Sequence, residues 1–132
     1  MNVAKQPLER AHGLLWVDAV LADRFGTSWP AKLVLDTGTS NTILSTGMAR
    51  FLGYPKSRKL GTATIETPFG SVDGYTFRLP SITVMKREVR GYLVAAEDFK
   101  SKTRLAGILG LDFFEGTDLL LSFRKNLVYL TS

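Results

Sequence analysis

Residues 33–45 read LVLDTGTSNTILS and place one carboxylate, Asp36, between an apolar run and a run of small hydroxyl residues. The apolar residues 33–35 are typical of a buried strand. An ionised carboxylate directly after such a strand is costly unless it is solvated or richly hydrogen-bonded. Asp36 therefore either begins an exposed turn, for which Asp-Thr-Gly is suitable, or has a functional role.

Length and composition limit the kind of protein around this stretch. The chain has 132 residues, 45% of them hydrophobic, which fits one folded domain. No apolar run approaches the roughly 20 residues that cross a bilayer, so we expect a soluble domain without membrane contact and favour the cytoplasm. The chain has no cysteine and one histidine. We therefore predict no disulfide, no metal site and no cofactor.

The charge balance is basic. Seventeen lysines and arginines against twelve acidic residues give a net charge of +5, with basic clusters at 56–59, 86–90 and 100–104. These clusters lack the interleaved aromatic residues and fold signals of a nucleic-acid binder, so they indicate solvated turns. We predict no nucleic-acid partner. A basic barrel that binds nucleic acid is a distant alternative function.

Turn-forming residues at close intervals divide the chain into short strands. Such a pattern indicates an all-β barrel or sandwich. One helix is predicted from Ser45, as N-cap, to Leu52, with Gly53 as its C-terminal stop. Strands are predicted at 14–22, 31–35, 42–44, 61–67, 72–79, twice within 81–96 with the basic residues 86–90 across their turn, in 106–114, and in a closing hairpin of 118–123 and 126–130.

The residues around Asp36 form a composite pattern with a later element, Gly107-Ile-Leu-Gly110. Together with the apolar residues before Asp36 and the threonines after it, this pattern resembles the retropepsin-like aspartic proteases, in a non-viral, bacterial form. The resemblance implies an all-β closed barrel with one short helix and one catalytic loop per chain. It covers the domain 14–132 and leaves 1–13 as an N-terminal segment.

The resemblance also implies the roles of the loop residues. Peptide hydrolysis by this class needs two carboxyl groups, and one chain offers one such loop, so Asp36 must meet its counterpart across the two-fold axis of a homodimer. Thr37 would brace the two loops against each other. Gly38 would bring its amide close to the carboxylate, and the Thr39 hydroxyl would donate to the outer carboxylate oxygen.

Other segments take their expected roles from the same resemblance. The hairpin tip Thr67, Pro68, Phe69, Gly70 and Ser71 occupies the place of the flap that covers a peptide or protein substrate. Ile108, Leu109 and Gly110 are expected to pack beside the catalytic loop.

Two positions depart from the retroviral pattern. Ser40 and Leu111 stand where those enzymes have an aspartate and an arginine, so both ends of an ion pair are absent. Asp112 is expected to cap the segment Phe113–Phe114.

The main alternative is a non-catalytic dimerisation or peptide-binding module with the same fold. The intact sequence Asp36-Thr37-Gly38 favours catalysis, because a binding module has no evident need for a carboxylate at the two-fold axis.

Overall fold

The computed structural model describes residues 2–67, 70–99 and 105–132. In these residues the helix α1 spans Thr46–Phe51, and short 3₁₀ helices span Lys56–Arg58 and Leu111–Phe114. The strands are β1 (Val3–Pro7), β2 (Glu9–Ala11), β3 (Leu14–Ala22), β4 (Ser28–Leu35), β5 (Ile43–Ser45), β6 (Gly61–Thr67), β7 (Gly70–Val84), β8 (Arg87–Glu97), β9 (Gly107–Leu109), β10 (Asp118–Ser122) and β11 (Leu127–Thr131).

The strands form two sheets, and the larger one closes on itself. Its order is β2-β3-β4-β9-β5-β8-β7-β6, and β3 also pairs with β7. The strands β3, β4, β9, β5, β8 and β7 therefore make a ring, as expected for an all-β protein of the barrel type. The ring encloses the hydrophobic core, whose largest fully buried side chains include Phe77, Phe113, Leu33 and Leu109.

The smaller sheet joins the two ends of the chain. Its order is β1-β11-β10, so the first strand pairs with the last. The amide of Asn2 donates to the carbonyl of Ser132 at 3.1 Å, and the amide of Ser132 donates back at 3.0 Å. The N-terminal segment 1–13, for which the sequence indicated no strand, thus contributes β1 to this sheet and β2 to the larger one.

Helix α1 follows the sequence signals at both ends. The Ser45 side chain accepts a hydrogen bond from the amide of Met48 and so caps the helix. Gly53 has a φ of +92°, a conformation that glycine adopts without strain, and the helix ends just before it. The prediction of a short helix with these two end signals is confirmed.

The hairpin of β7 and β8 differs from the prediction in two ways. β7 continues through Pro80, and the ladder with β8 omits the pair that Pro80 would form with Gly91. The turn is Met85–Lys86, with φ values of +50° and +66°, and Arg87 already pairs with Val84. Residues 87–90 therefore lie in a strand, and the prediction that residues 86–90 straddle the turn was wrong.

The turn between β3 and β4 is organised by a buried carboxylate. Asp23 accepts hydrogen bonds at Oδ1 from the amides of Phe25 and Thr27, and at Oδ2 from the Trp29 indole at 3.0 Å. The indole donor, with the backbone donors, holds the pKa of Asp23 below its ordinary value, although burial opposes them. Trp29 then packs edge-on against Phe51 of α1, so the turn also supports the helix.

In the part of the chain that the structure describes, no helix is both long and apolar enough to span a membrane.

Candidate active site

The loop that carries Asp36 follows β4 and is fixed by β9. The two strands run parallel, with Val34 paired to Ile108 and Leu35 to Leu109. The Asp36 amide donates to the Leu109 carbonyl at 3.1 Å, which continues this pairing by one residue. Ile108 and Leu109 thus set the position of the Asp36 backbone.

The Asp36 carboxylate is half-buried, and each of its oxygens accepts one hydrogen bond. The Gly38 amide lies 2.8 Å from Oδ1, and the Thr39 hydroxyl lies 2.8 Å from Oδ2. A Cβ on Gly38 would stand 3.2 Å from Oδ1, so the absence of a side chain there permits the close approach. The two contacts fix the plane of the carboxylate, and each oxygen keeps a lone pair for a further partner.

Gly110 packs directly against this loop. A Cβ at that position would lie 2.5 Å from the Asn41 carbonyl oxygen and 2.8 Å from that of Thr39. The next residue, Leu111, donates its amide to the Thr39 carbonyl at 2.8 Å. The structure therefore brings Ile108, Leu109 and Gly110 against the loop.

A buried polar cluster beneath the loop was not found from the sequence. The Thr42 hydroxyl lies 2.8 Å from the Tyr92 hydroxyl and donates to Asp112 Oδ1 at 2.9 Å. The Tyr92 hydroxyl also donates to Asp112 Oδ1 at 2.6 Å, and the Gly110 amide donates to the Thr42 hydroxyl at 3.1 Å. Burial and then the bond to Asp112 raise the pKa of the Tyr92 phenol, so Tyr92 stays a neutral donor.

This cluster corrects the role expected of Asp112. The 3₁₀ helix Leu111–Phe114 has no side-chain cap, and its N-cap residue is Gly110. The Asp112 carboxylate instead accepts from the backbone amide and the hydroxyl of Thr42 and from Tyr92, which fixes the segment after the Asp36 loop. The prediction that Asp112 caps Phe113–Phe114 was therefore wrong.

The structure says less about the other predicted site residues. Thr37 is exposed at the tip of the loop. In the predicted flap, Thr67 pairs with Gly70 and Glu66 with Ser71 across the hairpin of β6 and β7. Pro68 and Phe69 lie outside the described residues. The roles of Thr37 in bracing a dimer and of residues 67–71 in covering a substrate stay predictions.

Among the described residues, no group of three histidine, cysteine or acidic side chains is arranged to hold a metal ion.

Comparison with known proteins connects this geometry to a family. The family model described as "gag-polyprotein putative aspartyl protease" matches residues 26–116. A crystal structure of a retropepsin-like aspartic protease from Rickettsia conorii superimposes with a TM-score of 0.72 at 20% identity, covering 98% of this chain and 91% of that one.

A second solved structure is viral. The EIAV protease complexed with the inhibitor HBY-793 superimposes with a TM-score of 0.61, also at 20% identity, covering 81% of this chain and 90% of that one. No curated protein sequence matches the chain. The predicted retropepsin-like fold is confirmed by these structures, and its bacterial form stays a prediction.

Proposed function

Because the chain belongs to the gag-polyprotein aspartyl protease family and has the retropepsin-like fold, we propose that it is an aspartic endopeptidase that acts as a homodimer. Each active site takes the Asp36 carboxylate from both chains. One carboxyl group activates water as a base, and the other protonates the leaving amide nitrogen as an acid.

The observation that carries the proposal is the state of the Asp36 side chain. A half-buried carboxylate held by the Gly38 amide and the Thr39 hydroxyl keeps a fixed orientation without an ion-pair partner among the described residues. General base catalysis requires such a positioned, unneutralised carboxylate.

The substrate is proposed to be an extended peptide or protein segment. It would lie between the Asp36 loops and the hairpin of β6 and β7, where main-chain hydrogen bonds add it as a strand and pockets select its side chains.

The test of the shared site is a mixing experiment with an Asp36→Ala chain. If each site needs both carboxylates, a mixed dimer is inactive. With equal amounts of the two chains and free exchange, about a quarter of the dimers are fully wild-type, so activity falls to about a quarter of the all-wild-type rate at equal total concentration. Independent sites would retain about half.

Chain exchange is verified by mass spectrometry of differently labelled chains. Retention of half the activity after complete exchange would contradict the shared site. A wild-type protein that forms dimers and binds peptides but cleaves none of a diverse peptide library would instead support the non-catalytic module.

A further inference from the structure

A surface cavity lies apart from the Asp36 loop. It has a volume of about 590 Å³ and is enclosed by the hairpin of β6 and β7 on one side. On the other side are α1, the 3₁₀ helix Lys56–Arg58 and the end of β8. No residue of the loop 36–39 lines it. A cavity of this size holds a small ligand.

The cavity is lined by charges of both signs. Arg50, Lys56 and Lys59 contribute three cations from α1 and the segment after it, and three carboxylates come from Asp73, Glu97 and Asp98. The ion pairs between described residues lie elsewhere, at Lys32 and Arg90. The six charges thus line one cavity without neutralising each other by direct contact.

Glu97 is the unusual member of this group. It is only 8% exposed, at the end of β8, where its backbone pairs with Ser45. No hydrogen bond between described side chains reaches its carboxylate, and no described side-chain oxygen is both fully buried and unpaired, so the carboxylate opens into the cavity. Burial, and then the negative charge of Asp98, raise the pKa of Glu97. Partial removal from water makes the ionised carboxylate costly, and a ligand that supplies a cationic donor would lower that cost.

The hairpin of β6 and β7 contacts β8 at the edge of the cavity. A Cβ on Gly74 would lie 2.3 Å from the Ala96 carbonyl oxygen, so the two backbones are in direct contact there. Thr64 of β6 and Asp73 of β7 form one cross-strand pair and line the cavity together. A ligand in the cavity therefore contacts the hairpin and the body of the domain at the same time.

We propose that this cavity is a second binding site, which takes a short peptide with free termini. Its ammonium group meets the carboxylates of Glu97, Asp98 and Asp73, and its carboxylate meets Arg50, Lys56 and Lys59. Two extended residues span at most about 7 Å, which suits a dipeptide in this volume. Both contacts are charge-assisted hydrogen bonds, which are stronger than neutral ones.

The site has a regulatory consequence that rests on the proposed function. Short peptides with free termini are the products that a peptidase releases. A product bound between the hairpin and the body would restrain the motion of the hairpin and slow the admission of new substrate.

The probe is dialanine, and the capped N-acetyl-dialanine amide is the matched control, with the same body and no charges. Binding is followed by the amide NMR shifts of Thr62, Thr64 and Gly74 during titration. Dialanine is expected to shift these signals in a saturable way, and the capped peptide is expected to leave them unchanged. Equal binding of the two peptides would overturn the proposal.

Two variants distinguish the contribution of the carboxylates to binding from that of the cations. A third peptide, N-acetyl-dialanine, keeps the free carboxylate and lacks the ammonium group. Glu97→Gln is expected to weaken dialanine about tenfold or more and to affect N-acetyl-dialanine little. Arg50→Gln with Lys59→Gln, both at exposed positions, should weaken dialanine and N-acetyl-dialanine alike, because both peptides have a free carboxylate. Glu115→Gln, at an exposed carboxylate outside the cavity, is the control and should change nothing.

The outcome is independent of catalysis, because the same titration is made on the Asp36→Ala protein. Absent shifts, or variants that bind like the wild type, overturn the second site while leaving the protease proposal intact. Saturable dialanine binding by a protein that cleaves no peptide supports the site and removes only its regulatory role.

Discussion

At the scale of single residues, the hydroxyl of Thr39 is the contact with the clearest consequence for chemistry. It donates to Asp36 Oδ2 at 2.8 Å, and the Gly38 amide serves the other oxygen. Thr39→Val keeps the shape of the side chain and removes this donor. We expect kcat for a cleaved peptide to fall about tenfold, because a hydrogen bond to a charged group is lost.

The control for that change is Thr39→Ser, which restores the hydroxyl and should restore most of kcat. Thermal unfolding of both variants shows whether the fold is retained. A Thr39→Val protein with wild-type kcat would mean that the hydroxyl does not position the carboxylate during the reaction.

The ionised carboxylate of Glu97 lowers the stability of the fold. Burial raises its pKa above the ordinary value of 4.5, so the folded protein holds this proton more tightly than the unfolded chain. The ionised carboxylate therefore destabilises the fold as pH rises from 4.5 through the folded value. Glu97→Gln should raise the melting temperature near neutral pH, and the gain should vanish below the ordinary value.

Melting temperatures of both proteins across this pH range make the measurement. A Glu97→Gln protein that is less stable near neutral pH would show that the carboxylate is paired in solution, whereas no side chain in the described part of the chain donates to it.

Some contacts of the candidate site could be predicted from the sequence, and others could not. Asp36, Gly38 and Thr39 lie within four consecutive residues, so their mutual contacts follow from local geometry. Thr42, Tyr92 and Asp112 are separated by 50 and 20 residues, and only the folded barrel brings them together. Asp112 was the one visible signal, and its local interpretation as a cap was wrong.

At the scale of elements, the contact between β9 and the Asp36 loop depends on Gly110. Gly110→Ala places a Cβ against the carbonyl oxygens of Asn41 and Thr39, at 2.5 and 2.8 Å. Backbone must move to accept it. We expect a loss of about 2–3 kcal/mol in the free energy of unfolding, together with a loss of activity.

Gly47→Ala is the matched control for that substitution. Gly47 lies in α1, and the nearest atom to an added Cβ is the Ser45 hydroxyl oxygen at 4.0 Å. The methyl group meets no obstacle and favours the helix, so stability should rise by about 0.5 kcal/mol. Urea unfolding measures both changes. Equal stability of the two variants would mean that the loop yields without cost.

The elements were predictable where one residue type fixes the backbone. Ser45 and Gly53 mark the ends of α1 by side-chain capping and by positive φ. The turn at Met85–Lys86 carries no such mark, because neither residue favours positive φ. Pro80 suggested a break in β7, yet it lies opposite Gly91 at a position that the ladder omits, so its missing amide costs no pair.

At the scale of the whole molecule, the small sheet makes stability depend on both chain ends. β1 pairs with β11 along its full length, and Ala4 lies opposite Leu130, which is only 2% exposed. Removal of residues 2–7 leaves β11 with an open edge and uncovers part of the core. We expect the melting temperature to fall by about 5–10 °C.

The matched control for the truncation is Val3→Lys, at a position that is 61% exposed. It keeps every backbone pair of β1 and should leave the melting temperature unchanged. Both proteins are compared with the wild type at one concentration by calorimetry. A truncated protein that melts with the wild type would show that β1 adds nothing to the fold.

The buried carboxylate in the β3–β4 turn gives the molecule an optical signal. The chain has two tryptophans. The indole of Trp16 donates to the Ala11 carbonyl, which does not titrate, whereas the indole of Trp29 donates to Asp23. Protonation of Asp23 removes a negative charge beside one fluorophore, so the fluorescence emission of the folded protein changes in acid. The Trp29→Phe protein should not show this change. Fluorescence thereby reads the ionisation of one carboxyl group without any label.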